Sequence, residues 1–202
     1  PQPIKDAAIE ALQADFTHYG PSRGYLDLRR AIASKLARNN RVACDEALSY
    51  DPDREILVTH GGVHAYYLAM QSVLNPGDEV MIPDPSWATH FNMVKLLRGT
   101  VVRVPAPVEN GFIPSLDAWN AGLTKKTRAI VINYPANPTG VYPSREYFQQ
   151  LSDFACENDL WIVSDEVYDN LYYGENPLSA SAFPGAKDHT ILVNSLSKTY
   201  AM

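Results

Sequence analysis

Cysteine is nearly missing: Cys44 and Cys156 are all that the 202 residues contain, far apart, with no CxxC pair and no cluster of histidines. That scarcity excludes a disulfide framework and a Cys/His zinc module, and it fits a reducing cytoplasm. Long apolar runs are missing too. None reaches the roughly 18 residues that a membrane-spanning helix needs. The opening PQPIKDAAIEAL lacks the apolar stretch of a signal peptide and the arginine-rich character of a transit peptide. Positive charge is in deficit, with 17 Lys and Arg against 23 Asp and Glu and a net charge of −6. A nucleic-acid surface would need a basic patch, and docking on anionic membranes would need the same sign. The glycine pattern matches neither GxxxxGK[ST] nor GxGxxG, so a P-loop and a dinucleotide fingerprint are excluded as well.

What is present is the material of a folded core, with 46% hydrophobic and 20% charged residues, ordinary values for a globular chain whose length favours one domain. Helical apolar spacing marks PIKDAAIEAL and LDLRRAIASKLARNN, separated by the glycine- and proline-containing loop THYGPSRGY. From Glu55 onward short apolar runs alternate with helical patterns. EILVT precedes Gly61-Gly62 and the helical VHAYYLAMQSVL; EVMIP leads through DPSW into ATHFNMVKLL; TVVRV follows. RAIVIN then leads through YPANPTG into SREYFQQLSDFACEN, LWIVSDE comes next, and TILVN is last. Strands of four to six residues between helices of ten to fifteen predict βαβ units. Little alternation within the runs predicts strands covered on both faces. The expected fold is therefore α/β, a three-layer αβα arrangement around a mostly parallel sheet.

Such sheets place chemistry just past the carboxyl ends of their strands, and that is where the unusual residues fall. Lys198 follows TILVN between Ser197 and Thr199; most loop lysines are solvated charges, but an amine that forms an imine needs partial burial or a nearby cation, and a strand terminus offers burial. Ser195 and Ser197 add hydroxyl donors suited to an anion. Asp165 ends LWIV, either as a helix cap or as a carboxylate facing a cationic ring nitrogen. Tyr168, three residues on, shares its face if a helix starts there; a core tyrosine is the alternative. Gly61-Gly62 can open a helix whose free N–H groups meet a phosphate, or can simply make a tight turn. Trp87 can stack on a flat ring or sit in the core. In NYPANPTG, Asn137 offers an amide, and Asn137–Pro138 is a candidate cis peptide, as is Asp84–Pro85.

Together and in this order, the segments YGPSRGYLDLRRAIA, VTHGGVHA, NPGDEVMIPDPSW, NYPANPTG, SDEVYDNLYY and SLSKTYAM resemble the class I aminotransferases of the pyridoxal-phosphate fold-type I superfamily. The resemblance runs from Tyr19 to Met202. It implies that Lys198 carries pyridoxal 5′-phosphate as an internal aldimine and later serves as general base, and that Asp165 pairs with the pyridinium nitrogen. Tyr168 and Asn137 would hydrogen-bond the ring's phenolic oxygen, and Trp87 would stack on the ring, as in the aspartate-aminotransferase branch. The backbone of Gly62, Val63 and His64, with Ser195, would hold the phosphate. Tyr19 would reach the phosphate of a neighbouring subunit, implying a homodimer with shared active sites.

The implied reaction moves an amino group between an α-amino acid and a 2-oxo acid, with 2-oxoglutarate and glutamate as one pair. No metal, nucleic acid or membrane enters. The family pattern continues beyond the SK of SLSK with a glycine and a phosphate-binding arginine, so residues 1–202 resemble the central part of a larger enzyme, an incomplete cofactor-binding large domain. Two alternatives stay open: a lyase or synthase on the same scaffold, of the carbon–sulfur lyase type, and an aminotransferase-like effector domain of a transcription regulator.

Overall fold

The structure is a computed structural model that describes residues 1–39, 49–174 and 176–202; Cys44 lies outside the described residues. Two helices come first, α1 (Gln2–Gln13) and α2 (Leu26–Asn39). Then follow α3 (Gly62–Val73), β1 (Glu79–Asp84), α4 (Ala88–Leu96), β2 (Thr100–Pro105), α5 (Leu116–Gly122), β3 (Thr127–Asn133), α6 (Arg145–Glu157), β4 (Trp161–Asp165), β5 (Thr190–Val193) and α7 (Leu196–Tyr200).

The strands form one sheet in the order β2-β1-β3-β4-β5, and every pairing is parallel. Both faces are covered, as the unalternating apolar runs predict. On one face α3 and α4 bring Tyr66, Met70, Phe91 and Val94 onto Val80, Ile82, Val131 and Val163. On the other, α5 and α6 bring Trp119, Phe148, Leu151 and Ala155 onto Met81, Ile130, Ile132 and Ile162. The two lists interleave along each strand because successive side chains leave a strand on opposite faces. The α6 stripe Phe148, Leu151, Phe154 and Ala155 has the spacing of one helical face, and Ser144 caps that helix by accepting from the Tyr147 N–H.

Three local expectations need correction. EILVT belongs to no ladder among the described residues: Glu55 ends a turn, and the Val58 N–H donates to Arg23 O. Apolar β-branched residues favour a strand, but only a partner makes one. No helix starts at Asp165 either; residues 167–170 form a turn, with the Leu171 N–H bonded to Tyr168 O. Finally, Lys198 does not sit in a buried strand terminus but one turn into α7, where it is exposed.

The order of the strands locates the site. The chain runs outward from β1 to β2, then returns across β1 to β3 and continues the other way. The carboxyl ends of β1 and β3 therefore flank a switch point, where an open α/β sheet leaves a crevice. Asn133, Asp165 and Val193 stand side by side in register across β3, β4 and β5, so the ends of three strands form one even rim.

Candidate active site

Asp165 is the centre of the rim. It is buried, and strand alternation turns its side chain to the α3/α4 face, where Oδ2 lies 3.0 Å from His90 Nε2. His90 is fully buried on α4, and its Nδ1 is 2.9 Å from Ser86 Oγ. Ser86 stands just before α4, whose N-cap is Trp87, close enough for its hydroxyl to reach the His90 ring in the first turn of that helix. The second carboxylate oxygen, Oδ1, accepts from the Val167 N–H at 3.3 Å. Asp165 thus does the work of a turn cap and still presents an oriented, buried carboxylate. Trp87 stands edge-on to the His90 ring at 5.4 Å between centroids, and Tyr66 flanks His90 at 5.0 Å.

A chain of contacts runs from the main-chain carbonyl of Asp165 to the lysine. Asn133 Nδ2 donates to Asp165 O at 2.9 Å, and its Oδ1 accepts from the Asn137 N–H at 2.8 Å. Asn137 Nδ2 donates to Tyr168 OH at 3.3 Å. Over the Tyr168 ring lies Lys198 Nζ, 5.7 Å from the centroid, within cation–π reach. Asn137–Pro138 and Asp84–Pro85 are both cis, and so is Tyr134–Pro135, which sequence reading did not anticipate.

The candidate anion cradle draws on two elements. Gly61 has φ of 82°, a conformation that side chains resist, and it turns the chain into α3. The first helical bond runs from the Ala65 N–H to Gly61 O, which leaves the N–H groups of Gly62, Val63 and His64 without helical acceptors. Opposite them, a Cβ added to Gly62 would meet Ser195 Cβ and Val167 Cγ1 at 3.4 Å each, so bare backbone faces the Ser195 side chain closely. Ser195 caps α7, its Oγ accepting from the Ser197 N–H at 3.2 Å and donating to Ser197 Oγ at 3.0 Å. Its own N–H donates to Asn194 Oδ1 at 2.7 Å. Behind it, Asp169 Oδ2 accepts from Asn194 Nδ2 at 3.0 Å and from Lys35 Nζ at 2.5 Å.

Of the residues singled out by sequence, the fold joins Trp87, Asn137, Asp165, Tyr168 and Lys198 in one contact path, and sets Gly62 and the α3 N-terminus against Ser195. Tyr19 stands apart, fully exposed in the loop after α1. Sequence reading missed Ser86, His90, Asn133, Asn194 and Asp169. For His90 a signal exists, because Ser86 and His90 flank Trp87 at helical spacing; nothing local points to Asn133 or Asp169.

A rim with an amine, a fixed carboxylate, an indole and a helix-end anion cradle has the features against which known proteins can be compared. The family described as aminotransferase class I and II matches residues 1–202. This chain belongs to that family. It is 39% identical over its whole length to an aspartate aminotransferase of Pyrococcus abyssi, of which it covers 51%. In structure it superposes on an aromatic aminotransferase from Pyrococcus horikoshii with a TM-score of 0.93 at 39% identity, covering all of this chain and 52% of the other. An aspartate aminotransferase from Thermus thermophilus with maleate gives 0.93 at 38% identity, covering 50% of that chain. The chain spans about half the length of the relatives it matches. Those likenesses establish the α/β fold as that of this aminotransferase family.

Proposed function

We propose that the protein is a pyridoxal-phosphate-dependent aminotransferase, of which residues 1–202 supply the cofactor-binding part. The observation that carries this reading is the convergence, along the carboxyl ends of the strands, of an exposed lysine, a buried carboxylate held on both oxygens, and a helix end suited to an anion. These fit the three handles of pyridoxal 5′-phosphate. The N–H groups of Gly62, Val63 and His64 with the Ser195 hydroxyl suit its phosphate. The Asp165 carboxylate suits its ring nitrogen, and Trp87 suits its flat face. When bound, the cofactor supplies an electrophilic carbon and a ring that takes up the electron pair released at the substrate Cα.

The chain's own residues do the rest. Lys198 would bind that carbon through Nζ, and once displaced by the substrate amine it would take the Cα proton as general base. Asp165 would hold the proton on the ring nitrogen, and His90 fixes the direction from which it does so. Asn137 and Tyr168, already bonded to each other, would orient the ring's phenolic oxygen. Tyr19, exposed and uncommitted within the described chain, supports a shared site in a homodimer. The two distant cysteines support a cytoplasmic enzyme. The aspartate and aromatic aminotransferases among its relatives support an amino-acid donor, and the acceptor that the sequence resemblance implies is 2-oxoglutarate.

The test is a panel of amino acids offered to the intact protein with pyridoxal phosphate and 2-oxoglutarate. Glutamate formation supports transfer. Pyruvate and ammonia without glutamate would instead establish elimination and end this reading.

A further inference from the structure

Glu166 is the first residue past β4; its N–H still donates to Val193 O at 2.8 Å, and its side chain meets that of Ser164, whose place in β4 is on the face opposite Asp165. Its side chain is buried, and its Oε1 gathers three donors: Ser164 Oγ at 2.8 Å, Ser179 Oγ at 2.8 Å and the Ala180 N–H at 3.1 Å. Two of the three belong to a segment 13 and 14 residues further on. That segment is stiffened in turn, since Ser179 Oγ also accepts from the Ser181 N–H at 3.2 Å and lies 2.7 Å from Ser181 Oγ. One residue earlier, the Leu178 N–H donates to Tyr142 OH at 2.5 Å, and Tyr142 OH donates to Leu178 O at 3.1 Å.

Tyr142 closes the loop that carries Asn137, and Asn137 is tied through Asn133 to Asp165 O. The contacts therefore make a ring: Asp165, Asn133, the Asn137 loop, Tyr142, Leu178, Ser179, Glu166, and back through one peptide bond to Asp165. We propose that Glu166 is a positioning residue, the clasp that closes this ring and so sets the direction of Asp165 and of the Asn137 loop. The proposal rests on the aminotransferase reading for its consequence in turnover, but the clasp itself is a property of the protein alone. Removing the carboxylate would take away the acceptor that joins Ser164, Ser179 and the Ala180 N–H, and free the end of β4 on one side. Small misplacements of groups that hold a reacting centre cost much in rate.

The experiment uses Glu166→Leu in the intact protein. Without cofactor, amide hydrogen exchange at residues 165–168 and 178–181 should become at least about tenfold faster, with the α3 amides unchanged, because opening would be local. Glu166→Gln, whose amide oxygen can accept from the same donors, should restore slow exchange. With cofactor, Glu166→Leu should lower kcat about tenfold or more in the wild-type background and less than about twofold in Asp165→Asn, because a residue that acts through another loses its effect when the other is gone. Unchanged exchange, or an equal fall in kcat in both backgrounds, overturns the proposal. Should Glu166→Leu not fold, Ser179→Ala removes one donor and keeps the carboxylate, and the same pattern at smaller amplitude is required of it. A protein with no turnover would end the functional reading, and exchange measured without cofactor still decides the clasp either way.

Discussion

At the scale of single residues, Asp165 and Lys198 carry the sharpest expectations. Asp165→Asn keeps the shape of the side chain and its contacts with His90 and Val167 within reach, but removes the charge that favours a protonated ring nitrogen. The intact variant should fold, bind cofactor and lose at least roughly a hundredfold in kcat, the equivalent of about 2.7 kcal/mol at about 1.36 per decade. The loss should fall on kcat because the interaction strengthens as charge develops in the transition state. Near-normal turnover in steady-state assays would reduce Asp165 to the turn cap that its bond to Val167 already makes it. For Lys198, borohydride treatment of the loaded protein followed by peptide mapping should place the pyridoxyl label on that residue. A label on Lys35, which is committed to Asp169, or on any other lysine would reassign the site. Lys198 and Asp165 were legible in the sequence because each stands at the end of an apolar run inside a distinctive motif. His90 was legible only in part: its spacing from Ser86 marks it locally, but its partner lies 75 residues away and only the folding of α4 onto the sheet brings them together.

At the scale of elements, what the sequence made plain were long periodic segments: α6 with its single apolar face, and β3, whose residues are nearly all buried. What it hid was short or conditional. The seven-residue helix α5 is announced by the Ser115 cap but is too brief to show a repeat. EILVT has the composition of a strand and lacks a partner among the described residues. Glu166 gives β4 a pH dependence of its own. Burial pushes its carboxyl from an ordinary value near 4.5 up to about 7, the loss of hydration outweighing the donors from Ser164, Ser179 and Ala180, with nearby Asp169 adding repulsion. A carboxyl whose folded value is raised holds its proton more tightly in the folded state, so its contribution is complete below about pH 4.5 and is lost as pH rises to about 7. The whole swing is roughly 3 kcal/mol at about 1.4 per unit. Thermal unfolding from pH 4.5 to 8 should show this decline in the wild type and a flatter profile in Glu166→Gln. Parallel profiles would mean that Glu166 does not titrate in this range.

At the scale of the whole molecule, the sheet is covered on its two faces, and among the described residues β2 and β5 are its two edge strands. Among the described residues β5 pairs only with β4, and beside it lies a cavity of about 520 Å³ lined by Leu28, Ile32 and Leu36 of α2, Ile56 and Leu57 of the extended run, and Ile191 of β5. Unpaired strand edges recruit other strands, and apolar patches of this kind recruit any apolar partner. The 202-residue chain by itself should therefore bind a hydrophobic dye with enhanced fluorescence, and should associate with itself as its concentration rises in analytical ultracentrifugation. Ile32→Glu places a charge in the groove wall and should cut the dye signal severalfold without altering the far-ultraviolet circular dichroism, because Ile32 is only half-buried and belongs to neither core cluster. Dye fluorescence no stronger than that of a compact single-domain protein would mean that the groove closes on itself, with α2 moving onto β5, and the ion pair between Lys35 and Asp169 would then be the strut that draws it there.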